Sequence, residues 1–257
     1  MTLTLELSAP VNLRDLGGTP IDGGALAQGL AIRADDLSIV TEEVANTLYA
    51  QGLRSIIDLR STTEVSTSGR GPLGQLPVSY HHVPLMGDIS DSMRDTAHDF
   101  THEGMGRSYV HMVETATPQL VTALNIIAYS TGTTAFHCAA GRDRTGVLAA
   151  MLLLTLGAED ADIVADYALT GPNMHGIMTR TQAVMRPIME RLGFDLEQMR
   201  QTPLTEGGME VSMEALLAHL RETYGDPLTP LREAGLSSDT IERLRSRALS
   251  AQIAASV

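Results

Sequence analysis

His137-Cys138-Ala139-Ala140-Gly141-Arg142-Asp143-Arg144-Thr145-Gly146 contains the one cysteine of this 257-residue chain. Residues 133–137 before it are apolar and β-prone, and residues 147–156 after it form a strongly helical apolar run. The layout is a strand, a tight loop and the N-terminus of a helix. Such a loop aims backbone N–H groups and the positive end of a helix dipole at one point, where an anion binds. A thiolate is favoured beside helix N-termini and cations, and the thiolate is the form that attacks a bound electrophile. A cysteine that merely fills core space is the ordinary alternative. It does not account for a glycine three residues on, two arginines within six, and a hydroxyl just beyond.

The residue types fit phosphoryl transfer, which needs positioning and charge stabilisation more than covalent chemistry. Arg144 can bind two phosphate oxygens with parallel hydrogen bonds, which a lysine cannot reproduce. Gly141 permits positive φ and brings the amides of Ala139, Ala140, Gly141 and Arg142 close to an anion. Thr145 can donate to the sulfur when it leaves as thiolate. Arg142 adds a cation at the rim. Asp143 is unexpected in an anion loop, so it either holds an arginine, donates a proton or activates water. His137 is placed to hydrogen-bond loop carbonyls and turn their amides inward.

Cys-x5-Arg followed by Thr resembles the signature of cysteine-dependent protein tyrosine phosphatases. The full loop is similar to that of a bacterial subfamily including the secreted tyrosine and lipid phosphatases of mycobacteria and Listeria, whose loop has Lys where this chain has Arg142. The resemblance extends to Asn12-Leu13-Arg14-Asp15-Leu16-Gly17-Gly18, to Arg33-Ala34-Asp35, and to Ile57-Asp58-Leu59-Arg60-Ser61 followed by Glu64. Toward the C-terminus, Ser212-Met213-Glu214, Tyr224-Gly225 and Gly235-Leu236-Ser237 are also similar. It implies a tyrosine-phosphatase architecture: an α/β fold with a mostly parallel central sheet, Cys138 at the C-terminal end of a central strand, and a cysteinyl-phosphate intermediate. It implies that Arg14 belongs to a wall of the site. It also implies an acid after the strand at 80–85, which selects Asp88 as general acid, with Asp143 as the rival. Substrates of the resembling enzymes are phosphotyrosine proteins or phosphorylated lipids.

Apolar residues make up 43% of the chain, enough for one large domain spanning 1–257 with a helical C-terminal part from 171. A net charge of −13 argues against nucleic acid or anionic membranes as partners. A lone cysteine suits a reducing compartment and no secretory signal begins the chain. Both point to a cytoplasmic protein, with export by a signal-less route left open. The apolar run 147–156 is too short to span a bilayer. No cofactor is expected. No zinc spacing appears either, and His81 and His82 alternate across a strand, so they cannot share a metal.

Along the chain, 41–52 reads as a helix capped by Thr41 and 54–59 as a buried strand. Asp58 ends that strand as the structural partner of a neighbouring arginine. Residues 61–79 read as loop, and 86–108 as a long acidic loop of the kind that forms a lid. Helices are expected at 117–130, 147–156, 160–169, 174–192, 212–224, 228–234 and 238–249. The methionines at 174, 178, 185 and 189 fall at helical spacing and read as core. Three other functions fit less well: a phosphoinositide or dual-specificity phosphatase with the same chemistry, a sulfur transferase of rhodanese type, and a phosphate-binding module without turnover.

Overall fold

The computed structural model describes residues 5–87, 101–191 and 207–249. Strand β7 (Thr133–His137) is buried along its whole length and lies at the centre of a five-stranded sheet. β4 (Ala31–Ala34) and β5 (Leu53–Asp58) flank it in parallel, with Ala34 and Asp58 both paired to His137. β6 (Ser79–His82) extends the sheet beyond β5 in parallel. The short β1 (Arg14–Asp15) closes the other edge, antiparallel to β4. β2 (Pro20–Ile21) and β3 (Gly24–Ala25) form a separate hairpin.

Alternation along the strands divides the core between two faces. Ala31, Ile57 and Phe136 join the larger apolar cluster, with most of the helices. Ile32, Ile56 and Ala135 join a smaller one, shared with Ala45 and Leu48 of α1 (Glu42–Ala50). The larger face is covered by α3 (His102–Thr115), α4 (Thr117–Tyr129), α5 (Asp143–Leu156), α6 (Asp160–Ala168), α8 (Glu210–Tyr224), α9 (Thr229–Glu233) and α10 (Ser238–Leu249). α5 is buried from Arg144 to Leu156, the pattern of a helix that is apolar on all sides because protein surrounds it. It starts directly after the loop that follows β7. The three parallel strands β4, β7 and β5 thus deliver Asp35, Cys138 and Leu59 to one end of the sheet. In open parallel sheets this is where ligands bind.

Three expected segments differ from the structure. Residues 61–79 are not all loop: α2 (Thr62–Ser68) and a 3-10 turn (Pro72–Gln75) lie there. The sequence of α2, TTEVSTS, has weak helix propensity. What starts it is a capping box: Glu64 N donates to Ser61 Oγ at 3.3 Å, and Ser61 N donates to Glu64 Oε2 at 2.7 Å. Nor is 86–108 one long lid. Residues from His102 onward begin α3, capped by Thr101 Oγ1 accepting from Gly104 N at 3.0 Å. The rest of that segment, including Asp88, lies outside the described residues. Gly104 and Gly106 read as loop residues, yet both are buried in α3, and Gly106 lets it pack closely on α8. Expected strand 80–85 begins one residue earlier and ends at His82. α7 (Met174–Arg191) agrees with its expected range. Of the four methionines, Met189 is buried, and Met185 and Met174 pack on apolar clusters while only partly buried. Among the described residues no helix is long and apolar enough to cross a membrane.

A Cβ on Gly106 would stand 2.7 Å from Ala215 Cβ and 3.3 Å from Ser212 O. Gly106→Ala gains about 1 kcal/mol of helix propensity, but overpacking costs about 1–3 kcal/mol. A net loss of about 1 kcal/mol is expected, read as a lower urea midpoint.

Candidate active site

The loop between β7 and α5 is shaped by where its carbonyls go. Ala139 O accepts from Asp36 N at 3.0 Å. Asn12 Nδ2 donates to Ala140 O at 3.3 Å and to Gly141 O at 3.2 Å. Arg33 Nη2 adds a second bond to Gly141 O at 2.9 Å. Arg142 O accepts from Gly146 N at 2.8 Å. A peptide plane carries its C=O and N–H on opposite edges, so fastening the carbonyls to the framework turns amides the other way. Among the described residues the amides of Ala139, Ala140 and Gly141 have no acceptor, and with the start of α5 they form a nest suited to an anion. Gly141 makes the turn possible. Its φ is 67°, and a Cβ there would lie 2.5 Å from Ala34 O and 2.6 Å from Asp35 N.

Cys138 opens the loop and is 1% exposed. His137 before it is buried, with Nδ1 3.2 Å from Cys138 O and 3.3 Å from Leu37 N. Burial holds its imidazole below the usual histidine range. The ring is then neutral at physiological pH with one proton, so Nδ1 can serve only one of these partners.

Arg144 occupies the first turn of α5. Its Nη1 and Nη2 donate to Glu64 Oε2 at 2.5 Å and Oε1 at 2.9 Å, a fork-on-carboxylate pair that fixes the guanidinium plane. Burial alone would lower its affinity for the proton. The charges of Glu64, Cys138 and Asp143 overcome this and raise it, so Arg144 is a permanent cation. Thr145 Oγ1 is buried without a hydrogen-bond partner among the described residues.

Arg142 is not at the rim, as expected, but 3% exposed. Its Nε donates to Tyr167 Oη at 3.2 Å. The Tyr167 and Tyr109 hydroxyls are 2.7 Å apart, and Tyr109 donates to Asp143 Oδ1 at 2.5 Å. The Asp143 side chain keeps 31% exposure at the head of α5.

A buried thiol, a nest of amides, a clamped arginine and a partly exposed carboxylate therefore meet at one end of the sheet. A model of the tyrosine phosphatase family matches residues 5–250. The chain belongs to the tyrosine phosphatase family. It is 28% identical, over 93% of its length and 97% of the relative's, to the triple specificity protein phosphatase PtpB of Mycobacterium tuberculosis. It is also 28% identical to a tyrosine-protein phosphatase of Nostoc commune, over 84% and 73% of the two chains. It is accordingly an enzyme that hydrolyses phosphoric monoesters.

In this phosphatase the N-terminal motif is a brace. Arg14 Nε pairs with Asp166 Oδ1 at 2.8 Å, and its Nη1 donates to Asn12 Oδ1 at 2.7 Å. Arg33 Nη1 reaches the other oxygen of Asp166 at 2.5 Å. Asp35 receives Asn12 N at 3.0 Å and Arg180 Nη1 of α7 at 2.7 Å. Asp58 is buried and bonded by Arg60 Nε and Nη2 at 2.9 and 2.6 Å and by Tyr80 Oη at 2.7 Å, the structural partner expected of it. Burial would raise the Asp58 carboxyl, but the His137 ring and Arg60 hold it well below the usual range. Since His137 is neutral at physiological pH, Arg60 is the effective cation there. Glu64, Tyr109, Asp166 and Tyr167 carry parts of this site that the sequence did not assign. The Ser61-x-x-Glu64 spacing is the local pattern of a capping box and is the signal that points to Glu64; the other three have no local signature. Among the described residues no group of three His, Cys, Asp or Glu side chains could hold a metal ion.

Asp58, Glu64 and Asp166 are all depressed in the folded state, against the cost of burial, by their cationic partners. The stability they contribute is present above the unfolded carboxylate range, about pH 4, and lost as pH falls toward the folded values. Urea midpoints are expected to hold above about pH 5 and drop steeply below pH 4. Glu64→Gln leaves Arg144 without its charged partner and should cost about 3–5 kcal/mol at neutral pH, measured by urea unfolding.

Proposed function

We propose that this enzyme removes phosphate from phosphotyrosine side chains through Cys138. The observation that carries the reading is the loop 138–142, whose carbonyls are tied to the framework around the cysteine while Glu64 clamps Arg144 beside it. The Cys138 thiolate attacks phosphorus. The amides of Ala139, Ala140, Gly141 and Arg142, together with Arg144, hold the three equatorial oxygens as charge spreads over them. Asp143 protonates the leaving tyrosyl oxygen, whose conjugate acid has a pKa of about 10. Water, deprotonated by the same carboxylate, then hydrolyses the cysteinyl-phosphate, and Thr145 donates to the departing sulfur. The partly exposed carboxylate at the head of α5 supports Asp143 as the acid. Asp88, the stronger expectation from sequence, lies outside the described residues.

A second reading, hydrolysis of phosphoinositides by the same steps, is favoured by the relative named a triple specificity phosphatase. The burial of Arg142 favours phosphotyrosine, because a guanidinium bonded to Tyr167 is not presented to a second phosphate on a headgroup.

Phosphate release from a phosphotyrosine peptide, in chelator, should vanish in Cys138→Ser and exceed release from phosphoinositides at least tenfold in the native chain. Equal or faster lipid hydrolysis would select the second reading. Turnover surviving in Cys138→Ser would refute both.

A further inference from the structure

The hydroxyl chain behind Asp143 runs in one direction only. A carboxylate accepts, so Tyr109 donates its single proton to Asp143 Oδ1, at 2.5 Å. Tyr109 oxygen must then accept from Tyr167, at 2.7 Å. Tyr167 oxygen in turn accepts from Arg142 Nε, at 3.2 Å, which cannot do otherwise than donate. Burial, with the neighbouring Asp143 charge, raises Tyr109 well above the usual tyrosine range, and burial raises Tyr167 as well. Both rings therefore remain protonated donors throughout the working pH range. The rings come from different helices, α3 and α6, and meet edge to face at 6.0 Å. Both are essentially without exposure, so the chain cannot swing with solvent.

Oδ1 faces this buried side, with Arg142 Nε also 3.6 Å from it. A carboxyl whose one oxygen is occupied by a donor carries its proton on the other. We propose that Tyr109 and Tyr167 are positioning residues that pin Oδ1 of Asp143, so that Oδ2 holds the proton delivered to the leaving group. This rests on the reading of Asp143 as general acid. In the first step the S–P bond forms as the P–O bond to the tyrosyl group breaks, and the Oδ2 proton passes to that oxygen. In the second, water gives a proton back to Oδ2 while its oxygen bonds phosphorus and the P–S bond breaks. The Tyr109 bond to Oδ1 persists through both, so the carboxylate changes charge without changing place. Among the described residues the other charged groups facing Asp143 are Arg142 and Arg144, both cations throughout.

Leaving-group dependence separates this role from simple core packing. Phenyl phosphate needs a proton on its leaving oxygen, whereas dinitrophenyl phosphate does not. The readout is the ratio of kcat/KM on phenyl phosphate to kcat/KM on dinitrophenyl phosphate, which reports the leaving-group step alone and which a general loss of folded enzyme leaves unchanged. Asp143→Asn should lower the ratio about a hundredfold. Tyr109→Phe should lower it about tenfold, since loss of aim forfeits part of the acid's contribution, and Tyr167→Phe should lower it less. In the Asp143→Asn background, Tyr109→Phe should lower it no further. An unchanged ratio in Asp143→Asn would overturn the reading of the acid and, with it, the inference. A lowered ratio in Asp143→Asn with an unchanged ratio in Tyr109→Phe and Tyr167→Phe would overturn the inference alone. So would a further drop in the double variant.

Discussion

The carbonyl of Gly141 is the point on which the rest converges. It takes one bond from Asn12 and one from Arg33, in a residue whose positive φ and contact with Ala34 leave no room for a side chain. Asn12 is held by Asp35, Asp35 by Arg180 of α7, and Arg33 by Asp166 of α6. The first turn of the chain and helices from its second half are thus joined through a single peptide group. A loop of five residues could not hold such a shape from its own propensities, because turning several amides toward one point leaves their carbonyls in need of partners.

Charge is distributed on the same principle. The chain carries an excess of thirteen negative charges, yet Arg33 and Arg144 are buried with a bonded carboxylate each and Arg60 with two. Buried ion pairs are poor sources of stability, because desolvation offsets most of the attraction. Their value here is directional. The fork of Arg144 on Glu64 fixes a plane, and Arg60, forked on Asp58 and bonded to Ser68 Oγ and Gly69 O, ties the end of β5 to the end of α2. The acidic remainder of the surface repels phosphate esters in general, so the local cations set where one can settle.

The strand–loop–helix unit was legible because it is contiguous: apolar run, glycine, arginines and apolar run follow one another within about twenty residues. So was the α/β class, which the observed parallel β4, β7, β5 and β6 bear out. What could not be read is what crosses the chain. Glu64 and Arg144 are 80 residues apart, Tyr109 and Asp143 are 34, and neither pair has a spacing rule. A charged residue is usually solvated, yet Arg142 is buried, and Tyr167, which accepts from it, comes from another helix. α3 was missed altogether for a related reason. Its glycines weaken the helix locally, and the purpose of Gly106, close contact with α8, appears only in three dimensions. The resemblance to phosphatases marked Asn12, Arg14, Arg33 and Asp35 as a group without indicating that they brace the loop.

Every bond that shapes the loop is internal to the protein. The entropy of ordering it is therefore met when the chain folds, and an arriving oxyanion has nothing further to organise. A socket of this kind recognises a tetrahedral anion as such, and it offers the same contacts to an ester and to the inorganic phosphate left after hydrolysis. Preference for one ester over another must then come from the walls that receive the leaving group. Turnover at high product concentration must come from how readily the freed anion escapes, because the loop cannot relax its hold.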